Sequence, residues 1–506
     1  MRVCRASARG FRRTSRQRRV LLRGLQGREG WVMSVFDPWL TSRAAWQVLT
    51  QSHAGAQALQ EVQAARWRRL LQAARAATPL YRERLRGLPD DAPPSAVPPV
   101  GKGELMARFD EAVADPRLRL AALREFTADP GRIGQAFLGE YMVWESSGTS
   151  GEPAVFVQDA AAMAVYDMLE LLRPGPPAPG RASLGGLLDP WGLGARHAFV
   201  GALGGHFASQ VSVQRLRALN PWAASQVRCF SFLEPLPRLL ERLQAWAPQV
   251  LATYPTMATV LAEAARQGRL SLPLRELRTG GETLGAAARQ RIAGALGCRV
   301  RDHYGASEFL PMAWECAAGR LHLSADWVML EPVDAQGRPV PPGELSARCL
   351  LSNLANHVQP LIRYELGDRI RVDAAACPCG SALPVLRVYG RDEAPLVMDG
   401  ADGRPVRLLP LALSTVLEDQ AGVFDFQLRQ RDARTLVLRL GGPPERARAL
   451  APRCHEVLLD YARGQGMAEL RLLDECGEPV PRGRSGKALR VVGLQRRPAP
   501  GPAAST

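Results

Sequence analysis

Apolar positions in residues 55–77 recur at helical spacing. Trp67, Leu70, Leu71 and Ala74 fall at i, i+3, i+4 and i+7, which predicts an amphipathic helix stopped by Thr78-Pro79. The stretch 89–99 is proline-rich and reads as loop. Residues 142–144 and 154–157 read as two strands flanking a Gly/Ser/Thr loop, and 174–180 as another loop. From 181 to 310, short apolar runs alternate with helical segments at 236–247, 256–267 and 285–296. That alternation is the texture of βαβ units and of a layered α/β architecture. Residues 319–373 switch to strands and turns, marked by Gly337, Pro341-Pro342-Gly343 and Asn353. Near Gly390 the texture changes again. Runs at 424–428 and 435–440 read as strands, 445–463 as a helix, and 470–473 and 488–492 as further strands, enough for a small α+β domain. The end of the chain after Gly493 is polar and proline-rich, and no internal repeat is visible.

Length sharpens this picture. A chain of 506 residues is too long for one core and suits a large domain plus a smaller one. Apolar residues at 46% and charged residues at 23% are ordinary for a globular protein, and no apolar run reaches the 18 residues of a membrane span. The net charge of +16 invites a nucleic-acid reading, but residues 1–28 hold ten arginines and no acid. The segment ahead of Met33 carries +9, leaving a modest +7 for the rest. The body of the chain has no basic run interleaved with aromatics, so no nucleic-acid partner is expected. Residues 1–32 superficially fit an organellar transit peptide, but a translation start at Met33 or a basic tail is the plainer reading. Either way they have too little apolar surface to pack. Nine scattered cysteines fit a reduced, cytoplasmic compartment. The chain has 65 basic residues and only two of them, Lys102 and Lys487, are lysines, so each raises the question of what an arginine could not do there.

Four segments carry candidate chemistry. Ser146-Ser147-Gly148-Thr149-Ser150-Gly151-Glu152-Pro153 combines glycines, which let backbone approach phosphate oxygens, with hydroxyls that donate to them. It is not a Walker loop, and alone it reads equally as a hairpin turn. In His303-Tyr304-Gly305-Ala306-Ser307-Glu308 an aromatic can cover a purine, and a hydroxyl and a carboxylate can reach the α-phosphate and its Mg²⁺. Arg363-Tyr364-Glu365-Leu366-Gly367-Asp368 places an acceptor after a tight turn, suited to ribose hydroxyls. Gly390-Arg391-Asp392-Glu393 lies where the texture changes. Each of the last three alone reads equally as a polar turn.

Taken in order with Gly280-Gly281-Glu282 and a late Gly486-Lys487, these motifs resemble those of the acyl-adenylate-forming superfamily, and most closely its phenylacetate–CoA ligase branch. The segments 70–85 and 98–110, Thr253-Tyr254-Pro255, and 360–368 add to the resemblance, which spans roughly residues 60–492. It implies an α/β fold, α+β overall. A large N-terminal domain like that of acetyl-CoA synthetase, with layered sheets and helices, would occupy 33–389. A small mobile C-terminal α+β domain would occupy 390–493, and 494–506 would be a tail. It implies ATP-dependent activation of a carboxylic acid to an acyl-AMP, release of pyrophosphate, and transfer to a thiol, with ATP, Mg²⁺ and coenzyme A as cofactors. Carried over by position, Ser146, Ser147, Gly148, Thr149, Ser150 and Gly151 grip the ATP phosphates. Gly280, Gly281 and Glu282 line the adenine side, and Tyr304 and Gly305 lie against the base. Ser307 contacts the α-phosphate, Glu308 helps hold Mg²⁺, and Asp368 binds the ribose. Arg391 approaches from the domain border, Glu393 sits at the hinge, and Lys487 is the mobile catalytic lysine. An ammonium point charge suits the transition state, where an arginine fork does not fit.

Two departures stand out. Many relatives have lysine at Glu152 and threonine at Leu366. The first loss removes a cation near pyrophosphate and the second a hydroxyl near the nucleotide. Cys316, His322, Cys377 and Cys379 supply three sulfurs and an imidazole, a donor set for a closed structural Zn²⁺ site matching residues of that branch, though reduced cysteines and a surface histidine explain them equally. The acceptor is open between CoA, an amine and a carrier-protein thiol, and a non-catalytic nucleotide-binding relative is the reading from a different class. The acid's pocket is expected among 141–144, 188–207 and 251–257, where Tyr141, Trp191 and Phe207 suit an aryl or apolar acid, although any one of them reads more readily as core.

Overall fold

The computed structural model describes residues 35–146, 153–174, 194–389, 395–423, 425–467, 469–476, 479–481 and 490–494, all within the unit Ser34–Thr506. The proposed tail 1–32 and the loop 175–180 lie outside them.

The N-terminal helices follow the apolar spacing. Helix α1, Pro38–Ser52, is capped by Asp37, which accepts from the backbone N–H of Trp39 and Leu40. Helix α2, Ala56–Ala77, buries Leu59, Trp67, Leu70, Leu71 and Ala74, and ends before Pro79 as the sequence predicts. A hairpin follows: β1, Met142–Glu145, runs antiparallel to β2, Val155–Gln158, with Glu145 opposite Val155. Helix α3 is Ala160–Leu172.

The predicted βαβ texture becomes four crossovers' worth of parallel sheet. Strands β3, His197–Gly201; β4, Val227–Ser231; β5, Val250–Thr253; β6, Glu276–Thr279; and β7, Arg299–Ala306, pair in parallel. The covering helices are α4, Ala208–Leu219; α5, Leu236–Trp246; α6, Pro255–Arg266; and α7, Ala286–Leu296; the last three lie close to the predicted spans, and α4 was not among them. In α5, Leu239, Leu240, Leu243 and Trp246 form the buried stripe, at a spacing only a helix brings to one side. Four strands extend the sheet antiparallel beyond β7: β8, Phe309–Glu315; β9, Leu321–Leu323; β13, Arg369–Val372; and β14, Val385–Tyr389. They complete a nine-stranded order β13-β14-β9-β8-β7-β6-β5-β3-β4. Strands β10, Val328–Val333; β11, Arg348–Asn353; and β12, Tyr364–Leu366, form a separate three-stranded sheet.

The C-terminal part is α+β, as expected. It holds the pair β15, Leu396–Asp399, and β16, Pro405–Leu408, then helix α8, Pro410–Ala421. A four-stranded sheet follows in the order β19-β18-β17-β20, from β17, Phe426–Gln430; β18, Thr435–Leu440; β19, Arg471–Cys476; and β20, Val491–Val492. Helix α9, Pro444–Gly464, covers it. The first of these strands starts two residues later than the sequence indicates, and Phe424 lies outside the described residues. One apolar core runs from Val200, Leu251 and Leu277 through Leu240 and Leu261 to Leu413, Phe426 and Leu458. Gln465 also donates to the carbonyls of Leu233 and Glu234, at 3.3 and 3.0 Å. Among the described residues, no helix is long and apolar enough to cross a membrane.

Candidate active site

The parallel strands set the location. In open α/β sheets, ligands bind beyond the carboxyl ends of the strands. Tyr254 follows β5, Gly280–Glu282 follow β6, and Tyr304–Glu308 close β7 and lead into β8. The sequence motifs therefore converge on one end of the sheet.

Direct bonds join three of the four motif segments. Trp144, fully buried at the end of β1, donates its indole N–H to the carbonyl of Ser307 at 2.7 Å. This docks the mouth of the β1–β2 hairpin on the Ser307-Glu308 turn. Ser146 closes that mouth twice: its N–H donates to the Ala154 carbonyl at 2.9 Å and its hydroxyl accepts from the Ala154 N–H at 3.0 Å. Tyr304 then reaches the third motif, donating its hydroxyl to Asp368 Oδ2 at 2.9 Å. Burial, and next the adjacent Asp368 carboxylate, hold the Tyr304 phenol far above its ordinary pKa, so it stays a donor. Tyr364 hydrogen-bonds Glu308, and burial followed by that carboxylate raises its pKa strongly too. The Glu308 backbone is fixed by Asn353, whose Nδ2 donates to the Glu308 carbonyl at 3.1 Å.

Two glycines are required by space. A Cβ at Gly305 would lie 1.8 Å from the Leu310 carbonyl oxygen, where the β7–β8 register shifts between Tyr304 and Ala306. Gly281 has φ +79°, and its Cβ would stand 3.1 Å from the Tyr254 ring. Gly280 packs against the His303 carbonyl. Glu282, expected on the adenine side, has both carboxylate oxygens on Thr256: it accepts from the Thr256 N–H and hydroxyl at 2.9 Å each, at the start of α6. Arg363 adopts φ +49° and is held there by bonds to Glu331 and to the Val97 carbonyl.

Sequence reasoning missed Asp302, Thr279 and Asn353. Asp302 shares a face of β7 with Tyr304 and accepts from the Thr279 hydroxyl at 2.8 Å; burial pushes its carboxyl up to about 7. Strand alternation was the available signal, since 302 and 304 must lie on one side. Tyr141 sits in a separate cluster with Phe109, Leu118 and Phe126, its hydroxyl on Asp115 at 2.7 Å, so it is core. Phe207 is partly buried, packed against the sheet core and bridged through its backbone to Glu145. Ser147, Gly148, Thr149, Ser150, Gly151, Glu152, Trp191, Arg391, Glu393 and Lys487 lie outside the described residues. The nearest described anchor after Lys487 is Arg490, buried and paired with Glu418 of α8.

At the other end of the sheet, Cys316, His322, Cys377 and Cys379 come together with their ligand atoms all within 4.8 Å of one another. Cys316 Sγ lies 3.7 Å from Cys377 Sγ, and Cys379 Sγ lies 3.3 Å from His322 Nε2. A tetrahedron with bonds of about 2.3 Å to sulfur and about 2.0 Å to nitrogen has edges of about 3.8 Å (S–S) and about 3.5 Å (S–N), so the donors fit Zn²⁺. The His322 ring is oriented by Nδ1 on the Leu383 carbonyl at 2.8 Å and stacks on Trp314. Gly380, at φ +83°, turns the chain between the cysteine pair and β14.

No protein-family model and no curated protein matches this chain. Solved structures do. The chain is similar to 2-hydroxyisobutyryl-CoA ligase in complex with 2-HIB-AMP and CoA in the thioesterification state, with TM-score 0.55 and 20% identity, covering 88% of this chain and 91% of that one. The same ligase in the postadenylation state, in complex with R3-HIB-AMP, aligns with TM-score 0.50, 20% identity and the same coverage. This chain has their fold.

Proposed function

We propose that this chain is an AMP-forming acid–thiol ligase of the acyl-adenylate-forming superfamily, converting a carboxylic acid and ATP to an acyl-AMP and passing the acyl group to coenzyme A. The observation that carries this reading is the bonded convergence of three motif segments beyond the carboxyl ends of the parallel strands: Trp144 on Ser307, Tyr304 on Asp368, and Tyr364 on Glu308.

The chemistry follows from those positions. A carboxylate is a poor electrophile, so its oxygen attacks the α-phosphorus of ATP and pyrophosphate leaves. Ser146 and the loop through Gly151 cradle the phosphates with backbone N–H groups and hydroxyls. Tyr304, held in place by Asp368, lies against the adenine, and Asp368 binds the ribose. Ser307 contacts the α-phosphate. Glu308, oriented by Tyr364 and Asn353, is the protein's ligand for Mg²⁺, which usually takes one or two carboxylates plus substrate phosphates and supplies charge neutralisation there. Lys487 adds a compact positive charge to the phosphoryl oxygens. The CoA thiolate then attacks the acyl carbon and expels AMP. The border at Gly390–Glu393, between segments 33–389 and 390–493, is the hinge that serves both half-reactions, with Arg391 beside the nucleotide. Cys316, His322, Cys377 and Cys379 hold a structural Zn²⁺, since four protein donors leave no open coordination position.

The test is ATP–pyrophosphate exchange across aryl and aliphatic acids, with Lys487→Ala in parallel. Acid-dependent exchange is expected, reduced about 10²-fold or more in the variant. No exchange with any acid by a protein that binds ATP would overturn the ligase reading in favour of a nucleotide-binding relative. Product analysis with CoA, amines and a carrier protein then identifies the acceptor.

A further inference from the structure

Helix α1 presents an apolar face that nothing in the ligase chemistry uses. Trp39 is 85% exposed and Trp46 68%, with Phe36 and Leu49 each nearly half exposed. Trp39, Trp46 and Leu49 fall on one side of the helix, opposite the buried Ala44 and Val48. Large aromatics are rarely left this open in a stripe, and a contiguous exposed patch marks an interaction surface. The face contains no acid: between the capping Asp37 and Ser52 the only charged residue is Arg43, exposed between the two tryptophans. The chain leading into this helix is strongly basic, with ten arginines and no acid in residues 1–28.

We propose that α1 is a membrane-surface anchor that lies in the interface of an anionic lipid bilayer. Tryptophan is the side chain suited to that zone, because its ring is apolar and its N–H keeps a polar partner at headgroup depth. A single weak apolar contact gives marginal binding, and a basic segment strengthens it near an anionic surface. Here the two signals are consecutive in the chain. A second copy is the poorer occupant: a helix of 15 residues is about 22 Å long, and its face falls short of the roughly 800 Å² a side of a stable dimer. The basic segment is poorer still, since its longest apolar run is 20–22. The anchor adsorbs and does not cross, so it is compatible with the lack of a spanning helix. It is independent of the ligase reading.

Sedimentation with vesicles of phosphatidylcholine, with and without about 30% phosphatidylglycerol, tests it. The full chain is compared with Trp39→Ser/Trp46→Ser and with a chain beginning at Met33. Brominated acyl chains read tryptophan depth by quenching. The full chain is expected to bind anionic vesicles and be quenched, and the double variant to bind about tenfold or more weakly. The Met33 chain is expected to bind more weakly and still be quenched. Circular dichroism checks that the exposed substitutions leave the fold intact. Three results would overturn the proposal: no binding of the full chain to anionic vesicles; binding without quenching that the double substitution leaves unchanged; or self-association, or binding to a single-stranded oligonucleotide, that the double substitution abolishes while vesicles are ignored.

Discussion

The two ends of the antiparallel extension of the sheet are built differently. At β7, residues from three distant segments meet through single hydrogen bonds: Trp144 to Ser307, Tyr304 to Asp368, and Tyr364 to Glu308. At β9 and β14, four donors already stand within 4.8 Å of one another. The first arrangement joins segments distant in the chain by one bond each. The second is closed on itself and suits a permanent ion. On the proposed function, the first set would carry specificity and rate and the second stability.

Breaking the closed end should have the largest effect. Cys377→Ser with Cys379→Ser is expected to abolish bound zinc and lower stability by about 3–5 kcal/mol, read by metal analysis and denaturant unfolding. Unchanged stability with zinc lost would erase the contrast. At the β7 end, Gly305→Ala drives a Cβ into the Leu310 carbonyl. Because the loop must shift, acid-dependent exchange is expected to fall about 10²-fold with stability lowered by only about 1–3 kcal/mol and zinc content unaltered. Asp368→Asn is expected to raise the KM for ATP about tenfold, and Tyr304→Phe to raise it less, about threefold to tenfold, because it removes one hydrogen bond. Steady-state kinetics with ATP varied would show it, and a reversed order would mean that Tyr304 does more than orient Asp368.

A pH signature separates the two ends in a different way. Burial raises the Asp302 carboxyl from 3.8 to about 7. Between those values the folded chain holds a proton that the unfolded chain has lost, so this group's contribution to stability falls as pH rises from about 4 to 7. Asp302→Asn cannot lose that proton. Its stability relative to the parent is therefore expected to increase across that window, measured by denaturant unfolding at several pH values; a flat difference would mean that Asp302 is ionised in the folded chain.

Much of the fold was legible because it rests on local spacing. Helix α5 follows a period of 3.6, and strand β18 is a short, almost wholly buried run; short windows reveal both. The site was legible only as motifs. Asn353 lies 45 residues from the Glu308 carbonyl it fixes, and Tyr304 lies 64 from Asp368, so no local pattern could pair them. Glu282 was placed on the adenine side by the family resemblance alone; the structure adds that its carboxylate accepts from Thr256 at the start of α6, 26 residues away in the chain. Tyr141 went to the core because Asp115 satisfies its hydroxyl there.

Across β7, β8, β9 and β14, His303, Trp314, His322 and Val385 sit directly opposite one another in a single row. One strand, β8, thus borders both the Ser307-Glu308 turn and the cysteine–histidine knuckle. For protein engineering, the transferable module is neither motif but the whole of 299–389. A chimera spliced between Tyr304 and His322 would put the two halves of that row under different parents, whereas crossovers before Arg299 keep it whole.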